Sequence, residues 1–209
     1  MTAMANTRRA RPRSRTAPGN TVHRIKATLR DSRPPVWRRV EMDSTVTLQR
    51  LHHIVQTAFG WEDAHMWAFR TPKSRLHYRA SHRDPAILSP TAKRLDQIAP
   101  RPDDRLDYVY DFGDGWEHSL LVEAVTRAEP GTVYPRCLTG RRACPPEDSG
   151  GTWGYAYLLD VLADPSHEEH EDRLRWLGLE TADQFDPAAF DLARINAALA
   201  RYAAAPVGD

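Results

Sequence analysis

Two short runs concentrate the polar residues that could do chemistry. Tyr110-Asp111-Phe112-Gly113-Asp114-Gly115-Trp116-Glu117-His118 carries two aspartates and a histidine, and Cys144-Pro145-Pro146-Glu147-Asp148-Ser149-Gly150-Gly151 carries adjacent carboxylates. A histidine held beside carboxylates can be poised near neutral pH and pass protons. His118 with Asp111, Asp114, Glu147 and Asp148 would therefore suit acid/base or metal-assisted hydrolysis. The same residues also have ordinary structural uses: Asp111 and Asp114 can satisfy turn amides, and His118 can bond a backbone carbonyl.

Cys137 and Cys144 open a second possibility, zinc, with nitrogens supplied by His65 or His118. Six residues separate the cysteines, wider than the spacing of ordinary zinc knuckles. The structural alternative is a pair of small buried thiols pinning a loop. In Trp37-Arg38-Arg39 the two arginines face opposite sides of a strand and make no bidentate clamp. An inward-facing Arg38 or Arg39 needs a carboxylate, and Glu147 or Asp148 is the expected partner, as a structural brace beside Trp116. His167 and His170, three apart in a run of acids, lack the four-residue spacing of a zincin helix and read as a solvated face. No phosphate-cradling glycine loop, dinucleotide fingerprint or nucleophile elbow occurs.

These groups need a scaffold, and periodicity supplies one. Ile25, Ala27 and Leu29 alternate with polar residues as in a half-buried strand, and Val36 to Met42 reads as its antiparallel partner across Pro34-Pro35. Leu48, Leu51, Ile54, Val55, Ala58 and Phe59 form one apolar stripe on a helix from about Thr47 to Phe59. Asp43, Ser44 or Thr45 would cap its start and Gly60 its end. His65 to Arg70 reads as a third strand, and Thr71 to Pro90 as a polar connection. Leu106 to Phe112 and Trp116 to Val122 form a hairpin across Gly113-Asp114-Gly115.

The stretch from Tyr134 to Gly154 reads as a long Pro/Gly loop, expected to fold over that hairpin. Helices follow over Tyr155–Leu162, His167–Leu177 and from Asp186-Pro187 to about Ala203. The order argues for an α+β fold: a mostly antiparallel sheet built from hairpins, packed with one central helix and a C-terminal helical segment. Trp37, Trp61, Phe112 and Trp116 are expected in the core.

Composition bounds the rest. A hydrophobic share of 41% with six Trp supports a sizeable core, and no apolar run approaches the roughly 18 residues of a membrane span. An Arg-rich start without a following apolar stretch is not a signal peptide, and two cysteines suit a reducing, cytoplasmic setting. Arg8, Arg9, Arg11, Arg13 and Arg15 fall in residues 1–20, which hold no acid; setting them aside leaves 24 of 29 basic residues against 28 acids. So residues 1–20 read as a disordered basic tail that could touch nucleic acid, ahead of a mildly acidic domain over 21–203 and a disordered end at 204–209.

Read together, the motifs resemble the Ri-plasmid ORF-3-like family, whose members also carry a transposon-passenger, TnpR-like label. The matching runs are Pro34-Pro35-Val36-Trp37-Arg38-Arg39, Leu48 to Trp61, His65 with Phe69, and Tyr110 to His118. Tyr134-Pro135-Arg136-Cys137, Cys144 to Gly151 with Gly154-Tyr155, Asp164 to Gly178 and Phe185-Asp186-Pro187 complete them. Two positions depart from the commoner pattern: Ser149 stands where many relatives have a cysteine, and Trp67 where many have a histidine. The label implies a resolvase, yet nothing here pairs an activated serine with an arginine cluster. The resemblance implies an uncharacterised accessory domain of plasmids and mobile elements. The leading expectation is a non-catalytic module with a protein partner. The alternatives are a hydrolase using Asp111, His118 and Asp148, and weak nucleic-acid binding by the tail.

Overall fold

The computed structural model describes residues 21–71, 77–78 and 87–203; the basic tail, the C-terminal end and most of the Thr71–Pro90 connection lie outside them. Strands β1 (Thr21–Leu29) and β2 (Trp37–Asp43) form the expected antiparallel pair, Ile25 opposite Val40 and Ala27 opposite Arg38. Helix α1 (Leu48–Phe59) follows. Its cap is Thr47, whose hydroxyl accepts from Arg50 N at 3.1 Å, because Asp43 is already engaged by Thr45 and Ser44 by His23. Gly60 ends the helix at φ 96°, a conformation other residues adopt only with strain. Leu48, Leu51 and Ile54 are fully buried on its inner stripe, each worth about 1.5–3 kcal/mol relative to exposure.

Strands β3 (Trp67–Arg70), β4 (His77–Tyr78) and β5 (Ile87–Leu88) lead through the four-residue helix α2 (Leu95–Ile98) to the hairpin of β6 (Arg105–Tyr110) and β7 (Trp116–Arg127). Strand β8 (Arg136–Arg141) completes one eight-stranded sheet in the order β5-β4-β3-β6-β7-β1-β2-β8. All neighbours run antiparallel except β4 and β5. Helices α3 (Gly151–Ala163), α4 (His170–Leu177) and α5 (Leu192–Leu199) close the chain. The protein is thus α+β, with Ile25, Leu51, Tyr108, Trp116, Leu158 and Leu174 in one continuous apolar cluster. No helix among the described residues is long and apolar enough to cross a membrane.

Several local expectations need correction. The Tyr134–Gly154 stretch contains a strand: β8 has little apolar alternation and forms because β2 offers it an edge and Asn196 of α5 caps Cys137 N and O on the other side. α3 starts four residues early, at Gly151. Asp186-Pro187 makes a turn held by Ala188 N, and α5 begins instead after Asp191. His170 is not solvated; it is buried against Val161 O at 2.9 Å. Phe112 is 41% exposed, because Asp111 at φ 52° turns the chain and ends the alternation. Trp37 is only half buried, lying opposite in phase to Val36, Val40 and Met42, under Lys26 and Arg39.

Candidate functional site

Three segments converge beyond the β6–β7 end of the sheet. The first is the connection after α1. Trp61 is buried there and donates from Nε1 to Pro145 O at 3.1 Å; Glu62 N, Ala64 N and the His65 ring face the same way. The second is the hairpin turn. Asp111 sits in the left-handed region at φ 52°, donates its own N–H to Met66 O, and accepts from Gly113 N on Oδ1 at 2.8 Å. The third is the loop from Cys144 to Gly151, which lies across the turn: Gly150 N donates to Asp114 Oδ2 at 3.0 Å. A Cβ on Gly151 would stand 2.5 Å from Asp114 O, so only glycine allows this approach of backbone to backbone.

At the junction, Tyr110 donates its hydroxyl to Glu147 Oε1 at 2.9 Å and accepts from Ala64 N at 3.0 Å. Glu62 N donates to the same Glu147 oxygen. Burial and the bond to Glu147 raise the Tyr110 pKa, so its hydroxyl stays a donor at any ordinary pH. His65 is about a third exposed and lies among three carboxylates. Its Nε2 is 3.1 Å from Asp148 Oδ1 and 3.8 Å from Glu147 Oε2; its Nδ1 is 3.8 Å from Asp111 Oδ2. Asp148 is the exposed member and Asp111 the enclosed one.

The sequence-derived candidates separate cleanly on this map. Asp111, Glu147 and Asp148 do assemble, but around His65, which lies in the connection before β3 and not on a strand; Asp114 instead takes Gly150 N. His118 does not join them. It is fully buried, held by Trp116 O at 3.0 Å and packed against Phe59, Trp61 and Tyr108, and burial drops its pKa to about 3. It shares the buried phase of Trp116 and Leu120 on β7, and that face is closed by Phe59 of α1 and by Trp61.

The arginines do not meet the loop carboxylates either. Arg38 is buried and donates to the carbonyls of Ala58, Trp37, Arg141 and Arg142, at 2.8–2.9 Å, between the rings of Phe59 and Phe190. Carbonyls rather than a carboxylate satisfy it, which ties the end of α1 to the end of β8. Arg39 takes Glu123 in a bidentate pair on the outer face of the sheet. Trp116 is wholly buried core, as expected. Cys137 and Cys144 share no ligand set with His65: Cys137 is buried on β8 with its thiol on Thr139 O, and burial lifts both thiols above their usual range.

One group was missed by sequence reasoning. His52, fully buried on α1, accepts from Tyr108 through Nδ1 and donates from Nε2 to Asp63 at 2.7 Å, with His53 3.6 Å from the other Asp63 oxygen. Gln56 donates to Tyr108 Oη, which leaves the tyrosine proton for His52 and fixes that tautomer. Burial lowers the His52 pKa to about 4. Its helical phase with Gln56 on the inner stripe was the available signal.

Residues 21–194 match the family described as plasmid pRiA4b ORF-3-like protein. The chain belongs to that family. It is 37% identical over 185 residues to the uncharacterised protein y4hQ of Sinorhizobium fredii, across 88% of this chain and 93% of the relative. It is also similar to a solved protein of unknown function from Methanosarcina mazei Go1: TM-score 0.74, 34% identity, 83% of this chain and 97% of that one. In this pRiA4b ORF-3-like chain Trp67 and Ser149 both have local partners. Trp67 stacks on His52 at 4.0 Å, and the Ser149 hydroxyl donates to Pro146 O at 2.9 Å, holding the loop that carries Glu147 and Asp148.

Proposed function

We propose that this protein is a non-catalytic accessory module of plasmid and mobile-element DNA, acting in the cytoplasm by binding a protein partner at the His65 centre. The observation that carries this is the rim. Met66 is 66% exposed beside His65, and Trp153 is 88% exposed two residues after the Gly151–Asp114 contact. Exposed Trp and Met on the segments that build an anchored polar centre are the composition of a binding hot spot, where a few apolar side chains supply most of the energy. The partner would lay apolar side chains on Trp153 and Met66 and present donors to Asp148.

The test is selection of a displayed peptide library on the immobilised full-length chain. Enriched peptides should bind with at least tenfold lower affinity to Trp153→Ala and to Asp148→Asn, and normally to Trp176→Ala, an exposed tryptophan on α4. Peptides indifferent to Trp153 would sink the reading. Hydrolysis is the second reading, supported by the approach of Asp111 and Asp148 to one imidazole. It requires turnover of an activated ester or phosphoester that disappears in His65→Ala.

A further inference from the structure

We infer that His65, Glu147 and Asp148 bind a single first-row divalent cation, with Asp111 positioning the imidazole. The inference rests on the His65 centre being the working surface and names what that centre holds. His65 Nε2 has Asp148 Oδ1 at 3.1 Å and Glu147 Oε2 at 3.8 Å, and Asp111 completes a group in which His65, Asp111 and Asp148 each offer an atom within 4.8 Å of the others. Ligands on one ion with bonds of about 2.0–2.2 Å stand roughly 3–4.5 Å apart, and both contacts of Nε2 fall in that range.

The imidazole can give only one nitrogen to a metal. Nε2 faces Asp148 at 3.1 Å and Glu147 at 3.8 Å, while Nδ1 faces Asp111. With Nε2 on the ion, Nδ1–H is left on the Asp111 side at 3.8 Å, and closing that gap would give the arrangement in which a carboxylate receives the free N–H and fixes the ring.

The oxygens are divided in the same way. Asp111 spends Oδ1 on Gly113 N, and Glu147 spends Oε1 on Tyr110 and Glu62 N. What remains is Glu147 Oε2. It is buried, points at the centre, and has no hydrogen-bond partner. A desolvated carboxylate oxygen without a donor is costly, and such orphans call for a specific explanation. His65 does not relieve it, since its Nε2 lies closer to Asp148 and 3.8 Å is beyond hydrogen-bond reach. Among the described residues the three carboxylates find no Lys or Arg, and the His65 ring is their shared neighbour. One imidazole with carboxylates and no thiolate suits Mn2+ or Zn2+ over soft ions.

The experiment is calorimetric titration of the EDTA-stripped full-length chain with MnCl2 and, separately, ZnCl2. One ion per chain is expected. Glu147→Gln and His65→Ala should each weaken binding at least a hundredfold, and Asp111→Asn, which keeps an acceptor for Nδ1–H, by about tenfold. Trp176→Ala and Cys144→Ser should bind metal as the wild type does. Paramagnetic broadening of the His65 ring protons by Mn2+ gives a readout on the unmutated chain, independent of how the variants fold. No saturable binding, binding that survives Glu147→Gln, or zinc lost in Cys144→Ser would each overturn the site. Metal binding without peptide selection removes only the partner reading; peptide selection without metal binding removes only this one.

Discussion

The hairpin from Tyr108 to His118 feeds two regions that behave oppositely. Its strand residues turn inward: Tyr108, Trp116 and His118 pack with His52, Phe59 and Trp61 into a closed layer of rings in which both imidazoles are held neutral. Its turn residues face the open end: Asp111 approaches an imidazole about a third exposed, and Asp114 takes Gly150 N of a loop whose Asp148 stands in solvent. Only a few residues separate the two environments. The same residue types are therefore stability elements on one side of Tyr110 and candidate ligands on the other. Burial, not identity, assigns the role.

Replacing Trp116 by alanine tests the closed side most severely. The side chain is fully buried, and its loss should cost about 3–5 kcal/mol, read as a lower urea midpoint. An unchanged midpoint would mean that the layer is not packed as described.

Acid comes next. His52 in the folded protein titrates near 4 against an ordinary value of 6.5, so between those limits the unfolded chain binds the extra proton. Stability is then complete above about pH 6.5 and falls as pH drops toward 4, by about 3 kcal/mol from His52 alone, with His118 adding in the same direction. Urea melts at pH 7 and pH 5 measure the slope, and His52→Gln should flatten it. Equal stability at the two pH values would place both rings in water.

On the open side the expected change is close to nothing. Asp148→Asn should move stability by less than about 0.5 kcal/mol, since an exposed carboxylate beside a part-exposed histidine contributes little. A loss above 2 kcal/mol would make Asp148 a brace and erase the contrast.

How much of this could be read beforehand follows from where the information lies. α1 was legible because Leu48, Leu51, Ile54 and Val55 state a period and Gly60 ends it; the β6–β7 hairpin was legible for the same reason. β8 was not, because Arg136–Arg141 hides only Cys137 fully and owes its form to a neighbouring strand and to Asn196. The carboxylates of the centre were legible as a set, since two stiff glycine-bearing runs carry them. Their histidine was not. His118 has the right phase but α1 covers it, and His65 belongs to a connection whose course depends on Trp61 reaching Pro145. Which of Arg38 and Arg39 faces inward was not legible, and the partners of Arg38 are carbonyls that exist only once α1 and β8 have both ended beside it.

Gly151 resting directly on the Asp114 carbonyl sets the gauge of the whole opening. Spacing between the loop and the hairpin has its lower limit where main chain meets main chain, at Gly151 and Asp114. Descendants of this sequence can therefore vary the chemistry at positions 65, 111, 147 and 148 while inheriting an aperture of constant width. Any side chain introduced at 151 would prise the loop off its seat and carry both carboxylates out of range of His65 together. The width is heritable separately from the contents, as a socket is from what is plugged into it.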